Sequence, residues 1–139
     1  LTANEYIIQS IEDLKPFNMV GFQQAHLALG EAFNQVASDN PLYTELTNQK
    51  AQVDQLFVER TDVIIIDIRI FTYYRNRLTT SPKNQPVTLH RLFDTSDYKI
   101  AFREEKHRDA FNRGLKEIQG SGLYDQIIDS YLSNPNLWH

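Results

Sequence analysis

Residues 62 to 67 read DVIIID, with four β-branched residues between two aspartates. A short run of this kind is typical of a strand that is buried on both faces of a parallel sheet. The residues after it, from 68 to about 77, have the pattern of a helix, so Asp67 stands where the strand gives way to the helix. We take this stretch as the centre of an α/β domain.

Strands and amphipathic helices alternate on both sides of this stretch. A weak helical turn is predicted over residues 10–13, and Asn48 is the predicted N-cap of the helix that it precedes. The repeated order of strand and helix predicts right-handed βαβ units on a mostly parallel sheet. The other predicted elements are strands at 17–22, 42–46, 87–93 and 98–102, helices at 24–36, 49–58, 105–119 and 123–132, and a linker at 79–86.

The carboxyl ends of the predicted strands are where a parallel sheet binds its ligands. The residues there are Gln23 to His26, Thr47 to Gln49, and Asp67. Asp67 has two interpretations, because an acid at this point can cap the helix or can pair with a ligand ammonium group. Its position alone does not separate the two.

Composition excludes several classes of function. The chain has 139 residues, a formal net charge of -4 and no cysteine, so thiolate metal sites and disulfides are excluded and a nucleic-acid surface is disfavoured. No apolar run approaches the roughly 20 residues that span a bilayer. Because no HExxH motif, phosphate-binding loop, GxSxG elbow or Ser–His–Asp set is present, we expect neither a metal, nor a cofactor, nor an enzyme.

Several segments together resemble the extracellular solute-binding proteins of family 3, the polar amino-acid uptake type with a type II periplasmic-binding-protein fold. No single segment is specific, but their order and spacing across about positions 11 to 132 match the family. The segments are IEDLK at 11–15 with MVGF at 19–22, RTDVIIID at 60–67, YKIAFR at 98–103, FNRGLKEI at 111–118, and GLYDQI at 122–127 followed by Tyr131.

The resemblance implies two α/β lobes that close over a ligand as a hinge. A complete member is considerably longer, so we expect most of the first lobe to be missing from this chain. The expected organisation is a crossover segment at 1–14, a second lobe of three layers with a mostly parallel sheet at 15–93, and a return segment of the first lobe, one strand and two helices, at 94–139.

The resemblance also implies roles for site residues. Asp67 matches the acid that receives the ligand's α-ammonium group. Gln24-Ala25-His26, with Gln23 before it, matches the Gly-Thr helix start that takes the α-carboxylate. Because Ala25 and His26 replace Gly and Thr, the hydroxyl is lost and only the N–H groups of the helix start remain. The departure at Ala25 and His26 therefore leaves the identity of the ligand open.

The function that follows is capture of a small polar solute, an amino acid or a related compound, in the periplasm or at the cell surface. The partners would be the membrane subunits of an ABC importer. The alternative is a ligand-sensing domain of a membrane receptor or histidine kinase, which has the same fold. The apolar stripe of the return segment would lack its covering sheet, so we also expect self-association of the chain, by exchange of this segment between copies.

Overall fold

A computed structural model describes residues 1–78, 85–95 and 97–132. The chain divides into two compact units, one over Leu1–Phe93 and one that begins at Asp94. Whether these units belong to two different lobes, as the resemblance implies, stays a prediction. Among the helices of the described residues, none is long and apolar enough to cross a membrane.

The first unit is built on a parallel sheet of three strands, with the first strand of the chain in the centre, the second on one side and the third on the other. Its elements confirm the predicted α/β class and the three-layer arrangement of helices around a parallel sheet. They are β1 (Met19–Phe22), α1 (Ala25–Ala28), α2 (Glu31–Asp39), β2 (Tyr43–Leu46), α3 (Gln49–Phe57), β3 (Val63–Ile65) and α4 (Ile68–Asn76), with 3₁₀ turns at Thr2–Asn4 and Glu12–Leu14.

Two apolar clusters hold the layers together. One contains Met19, Phe33, Val36 and Ile65, and the other contains residues of α3 and α4 with Ile64 packed against them. Successive side chains of a strand point to opposite faces, which is why Ile64 and Ile65 enter different clusters. Both faces of the sheet are therefore covered, as the DVIIID stretch predicted.

The most buried strand is β1 and not β3. β1 lies between the two other strands, and three of its four residues are buried. β3 lies at the edge of the sheet in the part of the chain that the structure describes, and only Ile65 of its three residues is buried. Both faces of β3 are covered as the sequence predicts, but Val63 and Ile64 are only partly buried, so the strand is less buried than DVIIID indicates.

The prediction of one continuous helix over 24–36 was wrong, because the structure has two helices there. α1 ends at Ala28, and α2 begins at Glu31 after Gly30, whose φ of 88° is a left-handed conformation that favours glycine. The helices at α3 and α4 are confirmed, and so is the Asn48 cap, whose side chain accepts a hydrogen bond from the Ala51 N–H at 3.2 Å.

The strands predicted at 87–93 and 98–102 are not formed among the described residues. Val87 makes an isolated bridge, and residues 97–102 have no regular structure. A strand needs a hydrogen-bonded partner, which a local apolar pattern cannot provide. Phe102 packs instead on Phe111, with ring centroids 5.3 Å apart. Of the predicted linker, residues 79–84 lie outside the described residues.

The second unit contains two helices, α5 (Glu105–Gly120) and α6 (Leu123–Leu132), whose predicted positions are confirmed. Gly122 turns the chain between them with a φ of 75°. Neither helix contains a buried residue. Apolar side chains are consequently exposed on both, and they include Phe111, Leu123, Ile127 and Tyr131.

Candidate functional site

Asp67 lies at the carboxyl end of β3 and is the N-cap of α4. Its Oδ1 accepts hydrogen bonds from the N–H groups of Arg69 at 2.7 Å and Ile70 at 3.1 Å. These donors are among the first N–H groups of the helix, which have no partner within the helix itself. The interpretation as a helix cap is therefore confirmed, and the interpretation as a ligand-binding acid stays a prediction for the same carboxylate.

The strand register brings Gln23 and Asp67 to the same edge of the sheet. Gly21 of β1 pairs in parallel with Ile65 of β3, and β1 ends at Phe22, so Gln23 and Asp67 both follow their strands at the carboxyl edge. Neighbouring strands lie about 4.8 Å apart, which places the starts of the following segments side by side. The side chain of Gln23 is exposed at this edge.

The turn into α1 is held by Glu45, a residue of β2 that sequence reasoning missed. The Gln24 N–H donates to Oε2 of Glu45 at 2.6 Å, and the His26 N–H donates to Oε1 at 3.1 Å. The His26 ring donates from Nδ1 to Oε1 at 2.7 Å, and the Tyr43 hydroxyl donates to the same oxygen at 2.8 Å. The predicted helix-start residues thus surround a carboxylate that belongs to the chain.

The electrostatics of this cluster favour an ionised Glu45. Burial by itself raises the pKa of the carboxyl, but the hydrogen bonds from His26, Tyr43 and Gln24 outweigh it and lower the pKa to about 2. Burial, together with the hydrogen bond to Glu45 and the charge of Glu45, raises the pKa of the Tyr43 hydroxyl, which therefore stays protonated and donates. Since an ionised carboxylate only accepts, Nδ1 of His26 carries its hydrogen.

Ala25 does not present its side chain to this edge. It is 0% exposed and belongs to the apolar cluster on the α2 face of the sheet. A ligand contact at this position would therefore have to come from the backbone. His26 differs, because 39% of its side chain is exposed beside Glu45.

Gly21 makes room for the cluster. It is paired in register with Glu45, and a Cβ added to it would lie 2.5 Å from the Tyr43 hydroxyl oxygen and 3.2 Å from a Tyr43 ring carbon. The strand pattern alone contained one usable signal for this arrangement. Tyr43 and Glu45 are two residues apart on one strand, so they share a face, and a glycine stands at the matching point of the neighbouring strand.

We expect Gly21→Ala to destabilise the first unit by about 1–3 kcal/mol, because the new methyl group would push Tyr43 away from Glu45. Gly114→Ala in α5 is the matched control, since a Cβ at Gly114 meets no atom within 4 Å. The control should be neutral or slightly stabilising. Urea unfolding followed by circular dichroism measures both. Equal midpoints for Gly21→Ala and the unsubstituted chain would contradict the described packing.

A cavity of about 150 Å³ lies elsewhere in the first unit, among residues of β3, the segment before β1, and residues 87–93. Gln23 to His26 and Asp67 do not line it. Two polar residues in its wall hold these segments together. Asp62 accepts from the Tyr6 hydroxyl at 2.9 Å, and Nδ1 of His90 donates to the Ile8 carbonyl at 3.0 Å. Ile66 and Ile68, which flank Asp67 in the sequence, belong to the wall of this cavity.

No group of three or more His, Cys, Asp or Glu side chains with the arrangement of a metal site occurs among the described residues. Comparisons of the chain with protein-family models, with curated proteins and with solved structures give no match. The resemblance to the family 3 solute-binding proteins therefore rests on the sequence segments quoted above and stays a prediction.

Proposed function

We propose that the first unit binds a small polar solute at the carboxyl edge of its sheet, as the second lobe of a solute-binding protein. Polar side chains lie at this edge after neighbouring parallel strands, and their position supports the proposal. Asp67 and Gln23 follow two parallel strands of one sheet, and Glu45, near the end of a third strand, holds His26 at the same edge, where ligands of such sheets bind.

Asp67 is the residue that we propose for the ligand's ammonium group. Two backbone hydrogen bonds hold its carboxylate in one orientation, so little side-chain entropy remains to be lost when a cation binds. Gln23 would add an exposed amide at the same edge of the sheet. His26 would contact the polar part of the solute through the exposed side of its ring.

The biological process that we propose for this binding unit is solute transport. A lobe of this kind in the periplasm or at the cell surface would deliver its solute to the membrane subunits of an ABC importer. What supports this context is the order and spacing of the family-like segments between positions 11 and 132, together with the parallel α/β architecture of the first unit.

A thermal-shift screen of the chain against amines, amino acids and small carboxylates tests the proposal. A solute that binds only the folded state stabilises it, by about 2.7 kcal/mol when its concentration is one hundred times Kd. We expect at least one amine to raise the unfolding midpoint. If no solute of the three classes changes the midpoint at millimolar concentration, the proposed function is wrong.

We also expect the chain to self-associate through the exposed apolar face of α5 and α6. Phe111 is 39% exposed, Ile127 is 42% exposed and Tyr131 is 54% exposed, and contact with a second copy would remove this surface from water. Sedimentation velocity at micromolar concentration should show a dimer or a larger species, which Ile127→Glu should dissociate. A monomer under these conditions would contradict the expectation.

A further inference from the structure

We infer that Glu45 decides which solutes this edge accepts. Its carboxylate occupies the N–H groups that a ligand carboxylate would use, so the edge selects amines that carry no carboxylate. This inference rests on the proposed function and names its substrate class. The family-like sequence segments assign no role to Glu45; its role follows from the contacts around it.

The hydrogen-bond donors of the turn into α1 are already bonded to Glu45. The N–H groups of Gln24 and His26 each donate their one hydrogen to Glu45, at 2.6 and 3.1 Å. The His26 ring and the Tyr43 hydroxyl donate to the same carboxylate at 2.7 and 2.8 Å. A solute carboxylate would find these hydrogens already in use.

A solute carboxylate could displace Glu45 from these donors only at a cost in free energy. Only 20% of its side chain is exposed, and its strand fixes the backbone from which the carboxylate extends. If a solute carboxylate took its donors, Glu45 would remain nearby as a partly buried anion without them. Two carboxylates at one site also repel each other.

The carboxylate of Asp67 gives this edge a group that suits a cation. Asp67 follows β3 at the same carboxyl edge of the sheet, and its carboxylate is held in place by the first N–H groups of α4. Carboxylates bind ammonium groups through short, charge-assisted hydrogen bonds. An amine can use Asp67 without competing with Glu45, whereas the carboxylate of an amino acid would meet Glu45.

Calorimetric titration of the full chain with cadaverine, lysinamide and lysine tests the inference. Cadaverine is lysine without its carboxylate, and lysinamide keeps the size of lysine but neutralises that group. We expect cadaverine and lysinamide to bind at least about tenfold more tightly than lysine, a ratio equivalent to about 1.4 kcal/mol. Glu45→Gln keeps an acceptor but removes the charge, so it should reduce this ratio.

The outcomes of the titration and of the screen distinguish failure of the Glu45 inference from failure of the proposed function. If lysine binds the unsubstituted chain as tightly as lysinamide, Glu45 does not select against carboxylates, although the proposed function stands. The same holds if other solutes of the screen bind and the amines do not. If no solute binds at all, the proposed function fails and the inference fails with it. Should Glu45→Gln not fold, the ratio measured on the unsubstituted chain decides alone.

Discussion

Replacement of Glu45 by Gln should destabilise the first unit by about 3 kcal/mol at pH 7 and by almost nothing at pH 2. The hydrogen bonds of His26, Tyr43 and Gln24 lower the pKa of the Glu45 carboxyl from 4.5 to about 2. A group whose folded-state pKa is lowered stabilises the protein above its unfolded pKa, and each pKa unit corresponds to about 1.4 kcal/mol. This contribution is lost as the pH falls from about 4.5 to about 2.

Urea unfolding of the two proteins at a series of pH values between 7 and 2 measures the effect. The control is Glu31→Gln, which removes an exposed carboxylate from the first turn of α2. Its difference from the unsubstituted chain should remain within about 1 kcal/mol. If the unfolding free energies of Glu45→Gln and the unsubstituted chain differ by the same amount at every pH, Glu45 is not held by these donors.

Phe33→Ala should have the largest effect on stability, a loss of about 3–5 kcal/mol. Phe33 is 0% exposed. Its ring contacts the rings of Tyr43 and Phe93 edge-on, with centroid distances of 5.6 Å and 5.4 Å. Its removal leaves a cavity between α2 and the sheet and takes away the support of the tyrosine that donates to Glu45. Because whole domains are stable by only about 5–15 kcal/mol, the loss is a large part of the total.

Leu27→Ala is the control for this substitution, since Leu27 lies on neighbouring α1 and is 66% exposed. Its cost should stay within about 0.5 kcal/mol. Phe33→Leu keeps part of the side-chain volume, so its loss of stability should lie between those of Leu27→Ala and Phe33→Ala. This variant allows the comparison even if Phe33→Ala does not fold. A loss below about 1 kcal/mol for Phe33→Ala would contradict the packing of this cluster.

The sequence predicted the elements that depend on local signals. The β-branched run before Asp67, the apolar spacing of α3 to α6, and the cap at Asn48 all act over a few residues, and the structure confirms them. The break between α1 and α2 at Gly30 was missed because apolar spacing continued across it. The strands expected at 87–93 and 98–102 failed because strand formation depends on a partner elsewhere in the chain.

The candidate site was predictable only in part. The ends of the strands marked Gln23 to His26 and Asp67, and the register brings Gln23 and Asp67 to one edge. Glu45 was not predictable in this way, because its role depends on a contact across 19 residues to His26 and on the space left by Gly21. The shared face of Tyr43 and Glu45 follows from the strand pattern, but single glutamates on strands are common, and this pattern does not predict the contact with His26.

In the proposed site, Asp67 binds the solute's ammonium group as well as capping α4. Asp67→Asn separates these roles, because asparagine caps helices as well as aspartate does but carries no charge. Asp54→Asn is the matched control, since it removes the same charge from α3, where Asp54 pairs with Lys50 at 2.7 Å.

Calorimetric titration of the tightest-binding amine from the screen into the unsubstituted chain, Asp67→Asn and Asp54→Asn tests this role. The unfolding midpoint of each of the three proteins is recorded as well. We predict that Asp67→Asn keeps the midpoint within a few degrees and loses about tenfold or more in affinity, while Asp54→Asn keeps both. Unchanged affinity in Asp67→Asn would show that Asp67 is a helix cap only, and would contradict the proposed site.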